Sequence, residues 1–413
     1  MNIWCISKYG AAPAKYAKMS ARLFYLSQEW NKLGHKIVLF TSDSNHLAHF
    51  PKTDKIYNYE DINGVSLYWI KTKKYQKTTS LSRIISWFDF ERHLFKFDIS
   101  KLEKPDVVLV SSLSIFSIVY GYFLKKKFNA KLVFEVRDIW PLTLIVEGGI
   151  SKWHPLTILI GWIEKFGYKK ADLIVGTMPR LDMHVKNVID VNFRYFCSPL
   201  GFDLQNYSDV ISDKVNPFES LFPKGKFIVG YAGSMGITNA LEPFINMIKN
   251  IQEYEDIHFM LVGSGDYREQ FKNELSICKN VTFLERIEQK DVRYFLDKCD
   301  IVYLSTKPSK VWEYGQSMNK VVEYMLAAKP IIATYTGFPS MLNEAKCGVF
   351  ISSEDSKQAS YNIQKNILKY YHMPISERIK IGLRGRTWII QNRTYARLAS
   401  EYLEVLENTV NKC

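Results

Sequence analysis

The chain has 413 residues, 47% of them hydrophobic and 23% charged, which excludes a disordered chain and allows two or three domains. Six scattered cysteines (Cys5, Cys197, Cys278, Cys299, Cys347, Cys413), with no Cys-x-x-Cys and no histidine at ligand spacing, argue against a zinc site or a disulfide framework and fit a reducing compartment. The net charge of +13 suggests an anionic partner, but the lysines are dispersed, no nucleic-acid-binding signature is present, and a solvated lysine-rich surface explains much of the excess.

In chain order, "MNIWCISKYG" reads as a strand opening into a loop, without the charged and apolar segments of a signal peptide. Further strands are predicted at "KIVLFTS", "VSLYWIK", "DVVLVSS", "KLVFEVR" and "DLIVGTM". Helices fill the gaps, for example "MSARLFYLSQEWNKLG", which stops at Gly34. These strands are Val/Ile/Leu-rich rather than alternating, the pattern of buried parallel strands. The longest apolar run, Pro155 to Ile163, is too short to span a bilayer, and a cytoplasmic protein is expected.

From Cys197 to Lys226 the pattern lapses into Pro, Gly, Asn and Asp, the composition of a linker. It restarts with strands "FIVGYAG", "IHFMLVG", "VTFLER", "IVYLS", "PIIAT" and "GVFIS" and helices between them. The expectation is an α/β chain of two doubly wound, Rossmann-like domains facing a cleft: residues 1–200, and residues 201–389, with a C-terminal helix at about 390–413 that could pack back on the first. No G-x-G-x-x-G follows the first strand and no G-x-x-x-x-G-K-[ST] occurs, which disfavours a dinucleotide dehydrogenase or a P-loop nucleotidase.

Three constellations could carry chemistry. "YAGSMG" offers Gly233, Ser234 and Gly236 at a strand-to-loop turn, and "LVGSGD" offers Gly263, Ser264 and Gly265. Such turns expose backbone N–H groups to a phosphate or nucleobase, although each alone is equally an ordinary tight turn. "WEYGQSMNKVVEYMLAAKPIIAT" places Lys320 and Glu323 one turn apart at a helix start, where the dipole favours an anion and a carboxylate can accept two hydrogen bonds from a vicinal diol. The alternative for that pair is a solvated ion pair contributing about 0.3–0.5 kcal/mol. "EVRDIWP" ends a buried strand with Glu135, Arg137 and Asp138; Arg137 can bind phosphate or an acceptor hydroxyl, and Asp138 can orient it. The alternative is a buried Arg–Asp pair holding the Trp140–Pro141 turn. His46 and His49 follow the second strand near the expected cleft, where one could touch an acceptor. The run from Ile70 to Phe97, basic and then rich in Ile, Trp and Phe, could lie in a membrane interface, pack in the core or cap the cleft.

The words "RLFYLSQEWNKLGHKIVLFTS", "KPDVVLVSS", "KLVFEVRDIWP", "EGGIS", "WIEKFGYKKADLIVG", "PLGFD", "VGYAGSMG", "LVGSGD" and "NKVVEYMLAAKPIIA", in that order over nearly the full length, resemble the glycosyltransferase family 4 proteins of GT-B fold. They are most similar to the branch that builds bacterial capsule and O-antigen, which includes L-fucosamine (N-acetylfucosamine) transferases. The resemblance implies a retaining, metal-independent enzyme with no cofactor. It would move a sugar from a nucleotide-diphosphate donor, UDP-linked, to a polyprenyl-diphosphate-linked saccharide at the inner face of the membrane. It assigns Glu323 to the donor ribose, Lys320 to the phosphate side, and the preceding loop, with Ser317 and Asn319, to the pyrophosphate and sugar. The sugar, for which the resemblance implies an N-acetylated deoxyamino sugar, is not specified by any residue.

The chain departs from the family pattern. Seven residues should separate two glutamates, but the first position is Gly315, and Glu313 is out of register. An Arg and a Lys common after the first strand of the second domain are here Ser234 and Asn239. Replacement charge could come from Lys320, Lys307, Lys310, Arg286 or, in the first domain, Lys15. Two alternatives remain from the sequence: a nucleotide-sugar 2-epimerase, which shares the architecture, and a degenerate non-enzymatic subunit of a polysaccharide assembly complex.

Overall fold

The structure is a computed structural model that describes residues 1–10, 12, 21–44, 53–75, 80–204, 207 and 216–411. Lys15, His46 and His49 lie outside the described residues. The chain forms two compact units, Met1–Asp203 with Arg393–Cys413, and Leu204–Asn392.

The first unit contains β1 (Asn2–Ile6), α1 (Arg22–Lys32), β2 (Lys36–Ser42), β3 (Tyr57–Ile62), β4 (Val65–Ile70), α2 (Leu81–Lys96), β5 (Val107–Ser111), α3 (Ser117–Phe128), β6 (Lys131–Val136), α4 (Leu142–Val146), α5 (Pro155–Lys170), β7 (Leu173–Gly176), α6 (Leu181–Val188) and β8 (Tyr195–Cys197). Its eight strands run in the order β3-β4-β2-β1-β5-β6-β7-β8. All neighbours are parallel except β3, which is antiparallel to β4. The central strands are apolar throughout because helices cover both faces of a parallel sheet; every residue of β1 and β5 is buried.

The second unit contains β9 (Phe227–Ala232), α7 (Glu242–Asn250), β10 (Ile257–Val262), α8 (Arg268–Glu274), β11 (Val281–Leu284), α9 (Val292–Asp297), β12 (Ile301–Ser305), α10 (Asn319–Leu326), β13 (Ile331–Thr334), α11 (Leu342–Ala345), β14 (Gly348–Ile351), α12 (Ser356–Tyr371) and α13 (Ile375–Arg393). Its six strands are all parallel, in the order β11-β10-β9-β12-β13-β14. The last helix, α14 (Tyr395–Asn411), belongs to the first unit. Its residues Tyr395, Leu398, Tyr402 and Leu406 recur at helical spacing and are buried in that unit's core, where Tyr25 stacks on Tyr395 at 4.9 Å.

Two strands depart from the sequence reading. β3 does not stand out because its residues alternate between half-buried and exposed, yet it pairs with β4 through a turn at Asn63–Gly64, both with left-handed φ (53° and 79°). β8 is three residues long and only half-buried, too short to show a pattern.

Candidate functional site

In the second unit the chain leaves β9 to build β10 and β11 on one side, then returns to build β12, β13 and β14 on the other. The segments after β9 and β12 therefore diverge around a crevice at the carboxyl ends of the strands, where open α/β sheets take their ligands. The sequence-predicted donor residues are gathered at this edge. Gly233, Ser234 and Gly236 follow β9; Gly263, Ser264 and Gly265 follow β10; Arg286, exposed, follows β11. Ser317 precedes α10, and Asn319, Lys320 and Glu323 lie on it.

The glycines let two backbones touch. A Cβ on Gly263 (φ 145°) would fall 1.8 Å from the Gly233 carbonyl oxygen, and one on Gly265 (φ 152°) would fall 2.5 Å from the Met235 backbone. The contact is hydrogen-bonded: Gly233 N–H donates to Val262 O at 3.0 Å and Met235 N–H to Ser264 O at 2.8 Å. The end of β12 is tied in as well, since Lys307 N–H donates to Thr238 O at 2.9 Å and the Ser305 hydroxyl donates to Asn239 O.

Lys320 closes this floor from α10. Its Nζ donates to Asn239 Oδ1 at 3.1 Å, approaches the Tyr231 hydroxyl at 3.4 Å and lies 4.7 Å from the centre of that ring. A Cβ on Gly233 would meet this ammonium at 2.5 Å, so the glycine leaves room for the cation. Its hydrogen-bond partners are neutral, and burial pulls its pKa down to about 8, with Glu323 acting in the opposite direction. One turn on, Glu323 Oε1 accepts from Gln289 Nε2 at 2.8 Å. Burial raises the Glu323 pKa, while Gln289 and Lys320 hold it down.

α10 is fixed from below by Tyr324, whose hydroxyl accepts from Ala232 N–H at 3.0 Å and lies 3.2 Å from the Tyr303 carbonyl, binding the helix to β9 and β12. The helix has no side-chain N-cap, so its first amides point at the crevice with the positive end of the dipole. Gly315, at the position of the missing first glutamate, has φ 93° and donates its N–H to Trp312 O at 3.0 Å; Glu313 is exposed. Lys307 and Lys310 are exposed on the same loop.

In the first unit the "EVRDIWP" cluster divides. Glu135 is fully buried, and its carboxylate is taken by Arg22 Nη2 at 3.1 Å and by the Ser111 hydroxyl at 2.8 Å. Arg22, also fully buried, donates to Pro199 O at 2.7 Å and to Ser198 Oγ at 2.8 Å. The buried structural pair is thus Arg22–Glu135 rather than an Arg–Asp pair at the turn. Arg137 and Asp138 follow β6 and are half-buried, and no ion pair joins them among the described residues. The Arg137 backbone is held, with its N–H donating to Ser112 Oγ at 3.0 Å. Burial raises the Asp138 pKa against the fields of Arg137 and Arg83.

Comparison with known proteins decides the class. Residues 19–185 match the model for the glycosyl transferase 4-like domain, and residues 226–368 match the model for glycosyl transferases group 1. The chain is a glycosyltransferase, its first unit matching the 4-like domain and its second the group 1 model. It is 22% identical over 269 residues to the probable glycosyltransferase WbjE of Pseudomonas aeruginosa; the match covers 64% of this chain and 66% of that protein, just under two thirds of its length. Solved structures share the GT-B fold at low identity. Sucrose-phosphate synthase from Thermosynechococcus elongatus superposes with a TM-score of 0.69 at 15% identity, covering 98% of each chain. The E. coli trehalose-6-phosphate protein bound with UDP-2-fluoro glucose gives 0.72 at 12% identity, covering 98% of this chain and 99% of that one. Anabaena HepE in complex with UDP and glucose gives 0.62 at 13%, covering 99% and 100%.

Within this glycosyltransferase, sequence reasoning missed three site residues. Asn239 reads as the loss of a cation, whereas it is the acceptor that holds Lys320. Gln289 and Tyr324 orient Glu323 and α10 from segments whose patterns carry no sign of it. The contact of Gln289 with Glu323 spans 34 residues and that of Asn239 with Lys320 spans 81, so no local spacing could reveal either.

Proposed function

We propose that the chain transfers a sugar, with retention, from a UDP-linked donor to a polyprenyl-diphosphate-linked saccharide in the assembly of a surface polysaccharide. The observation that carries this reading is the Lys320 ammonium, held by neutral partners between Gly233 and Asn239 at the switch point of the second sheet. The diphosphate sits there against Lys320 and the α10 amides, and Glu323 accepts from the ribose hydroxyls in place of Gln289. The bond from the anomeric carbon to the diphosphate breaks, the acceptor hydroxyl forms its bond on the same face, and its proton passes to the departing phosphate oxygen. Lys320 stabilises the charge growing on that leaving group. Arg137 and Asp138 of the first unit, with Lys15 and His46, meet the acceptor. Two of the similar structures are described with UDP or a UDP-sugar bound, which supports the choice of nucleotide.

Among the described residues no group of three or more His, Cys, Asp or Glu is placed to hold a metal ion. The reading gives the diphosphate to protein cations, Lys320 first among them. Calorimetry should detect UDP binding that the Lys320→Ala variant lacks, and turnover should persist in ethylenediaminetetraacetate. Absence of UDP binding would leave a non-enzymatic subunit as the better account. Conversion of donor without acceptor would make the protein an epimerase, and loss of turnover on chelation that magnesium restores would overturn the metal-free scheme.

A further inference from the structure

The first unit covers its sheet with two chemically different surfaces. On the side of α1 and α14, exposed charges of both signs are interleaved: Lys32 pairs with Glu29, Arg397 with Glu401, and His35 lies 3.9 Å from Glu407. This is the ordinary surface of a soluble domain.

α2, α3 and α5 pack side by side and present something else. Phe95 of α2 meets Tyr120 and Phe123 of α3 at 4.9 and 5.6 Å, and Tyr122 of α3 meets Phe166 of α5 at 5.2 Å. α2 is apolar on two sides. Trp87, Phe90 and Leu94 face the core, while Leu81, Ile85, Phe88 and Phe95 point outward, with Leu81 77% exposed and Phe88 49%. A helix apolar on its outer side needs a second apolar phase. The neighbouring Trp162 of α5 is 70% exposed and Trp153, just before that helix, 75%.

The charges on this face are mostly basic: Lys125 pairs with Asp172 at 2.7 Å and α2 carries Asp89 and Glu91, both half-buried, but Lys126, Lys127, Lys165, Lys169 and Lys170 are exposed and make no ion pair among the described residues. α3 carries Lys125, Lys126 and Lys127 and no acid; α5 carries Lys165, Lys169 and Lys170, and its one acid, Glu164, is buried against His184. The lysines sit on the aromatics themselves. Lys126 and Lys170 lie 5.7 and 5.8 Å from the Tyr122 ring, Lys127 lies 5.8 Å from Phe123, and Lys152 lies 5.2 Å from Trp153. Exposed tryptophans with lysines whose stems lie along apolar surface match the boundary between lipid headgroups and acyl chains. A second protein surface would gain little from five exposed lysines left without an ion pair among the described residues, whereas an anionic bilayer satisfies both the charge and the apolar side chains.

We infer that the α2–α3–α5 face docks on an anionic lipid bilayer, with Leu81, Phe88, Trp153 and Trp162 entering the interface and the α3 and α5 lysines on the headgroups. The inference deepens the lipid-linked acceptor of the proposed function and rests on it only for its purpose, because docking is measured without any sugar substrate.

The full chain is sedimented with vesicles of phosphatidylcholine alone or with 30% phosphatidylglycerol, about one headgroup in three being anionic. Binding should require the anionic lipid and weaken about tenfold or more between 0.05 and 0.3 M salt, roughly the span over which the screening length halves. Lys126→Glu with Lys170→Glu should remove the preference for anionic lipid. Trp153→Ser with Trp162→Ser should weaken binding about tenfold or more at low salt, with thermal unfolding and UDP binding unchanged, since both side chains are exposed and outside the donor unit. Equal binding to both vesicle types, no binding to either, or tryptophan variants that bind as well as the parent would overturn the inference. So would a dimer in sedimentation velocity that Leu81→Asp dissociates, because that face would then join two copies of the chain. Failure of UDP binding with vesicle binding intact would count against the proposed function and leave the docking face standing.

Discussion

The carboxyl ends of the two sheets handle buried charge in opposite ways. In the first unit Arg22 and Glu135, both without solvent exposure, neutralise each other, and three further hydrogen bonds tie them to Pro199 O, Ser198 Oγ and Ser111 Oγ. In the second, the partners of Lys320 among the described residues are an amide oxygen, a phenol and a ring face, and the nearest acid on its helix, Glu323, is bonded instead to Gln289. A charge matched inside the fold contributes to the fold; a charge held by neutral groups keeps its field for a ligand. Desolvation makes the second arrangement costly, which is visible in the lowered Lys320 pKa.

The comparison breaks most readily at Arg22. Arg22→Ala should destabilise the first unit by about 3–5 kcal/mol in chemical denaturation, because it leaves the Glu135 carboxylate buried and unpaired. Arg137→Ala, two residues from Glu135, should cost no more than about 0.5 kcal/mol, since its guanidinium makes no hydrogen bond or ion pair among the described residues, yet it should lower use of the acceptor. Equal losses of stability would erase the distinction between matched and open charge.

Lys320→Ala should do the reverse. The specificity constant for donor should fall about 10²–10³-fold, the usual loss for one group stabilising a developing anion, with no loss of folding stability. A variant that unfolds without a change in the turnover of its folded fraction would place Lys320 with Arg22 as a structural charge. Glu323→Gln is expected to cost less, about ten- to a hundredfold in the specificity constant, from the ~1.5–3 kcal/mol of a charge-assisted hydrogen bond to the ribose. Glu313→Gln should do much less than that. Steady-state kinetics in which Glu313 proved the more damaging would mean that the chain has moved its acidic pair.

These charges also mark how far the sequence could be read. The parallel strands are legible because two covered faces force continuous Val, Ile and Leu. Gly263 and Gly265 after β10 are legible because only glycine permits φ near 150° and the 1.8 Å conflict at Gly263, and Gly233 after β9 because a Cβ there would meet the Lys320 ammonium at 2.5 Å. Lys320 and Glu323 are legible as residues on one helix face. What each of them touches is not. The Arg22 contact with Glu135 spans 113 residues, so Glu135 reads as one member of a cluster with Arg137 when it belongs to a different structure. Asn239 shows the same limit: as a residue type it signals a missing cation, and only the fold brings Lys320 to it.

The smallest expected effect tests the Lys320 environment directly. The folded chain holds this ammonium with a pKa of about 8, below the 10.5 of an ordinary lysine, so between these values the unfolded chain binds the proton and the folded chain does not. Folding stability from this group therefore rises with pH across that window. Binding of a diphosphate needs the cation and runs the other way: the association constant for UDP should be flat below pH 8 and fall roughly tenfold per unit above it. Lys320→Arg, which stays charged, should remove that fall even if the larger head binds less tightly overall. Glu323→Gln should shift the break to lower pH, because the carboxylate is what supports the Lys320 charge. Calorimetric titrations from pH 6.5 to 9.5, roughly the range that brackets a group titrating near 8, read both directions at once. A UDP affinity that stays flat to the top of that range in the parent chain would mean that the cation meeting the diphosphate is an exposed one, such as Arg286 or Lys307, and that Lys320 serves only to fill the space beside Gly233.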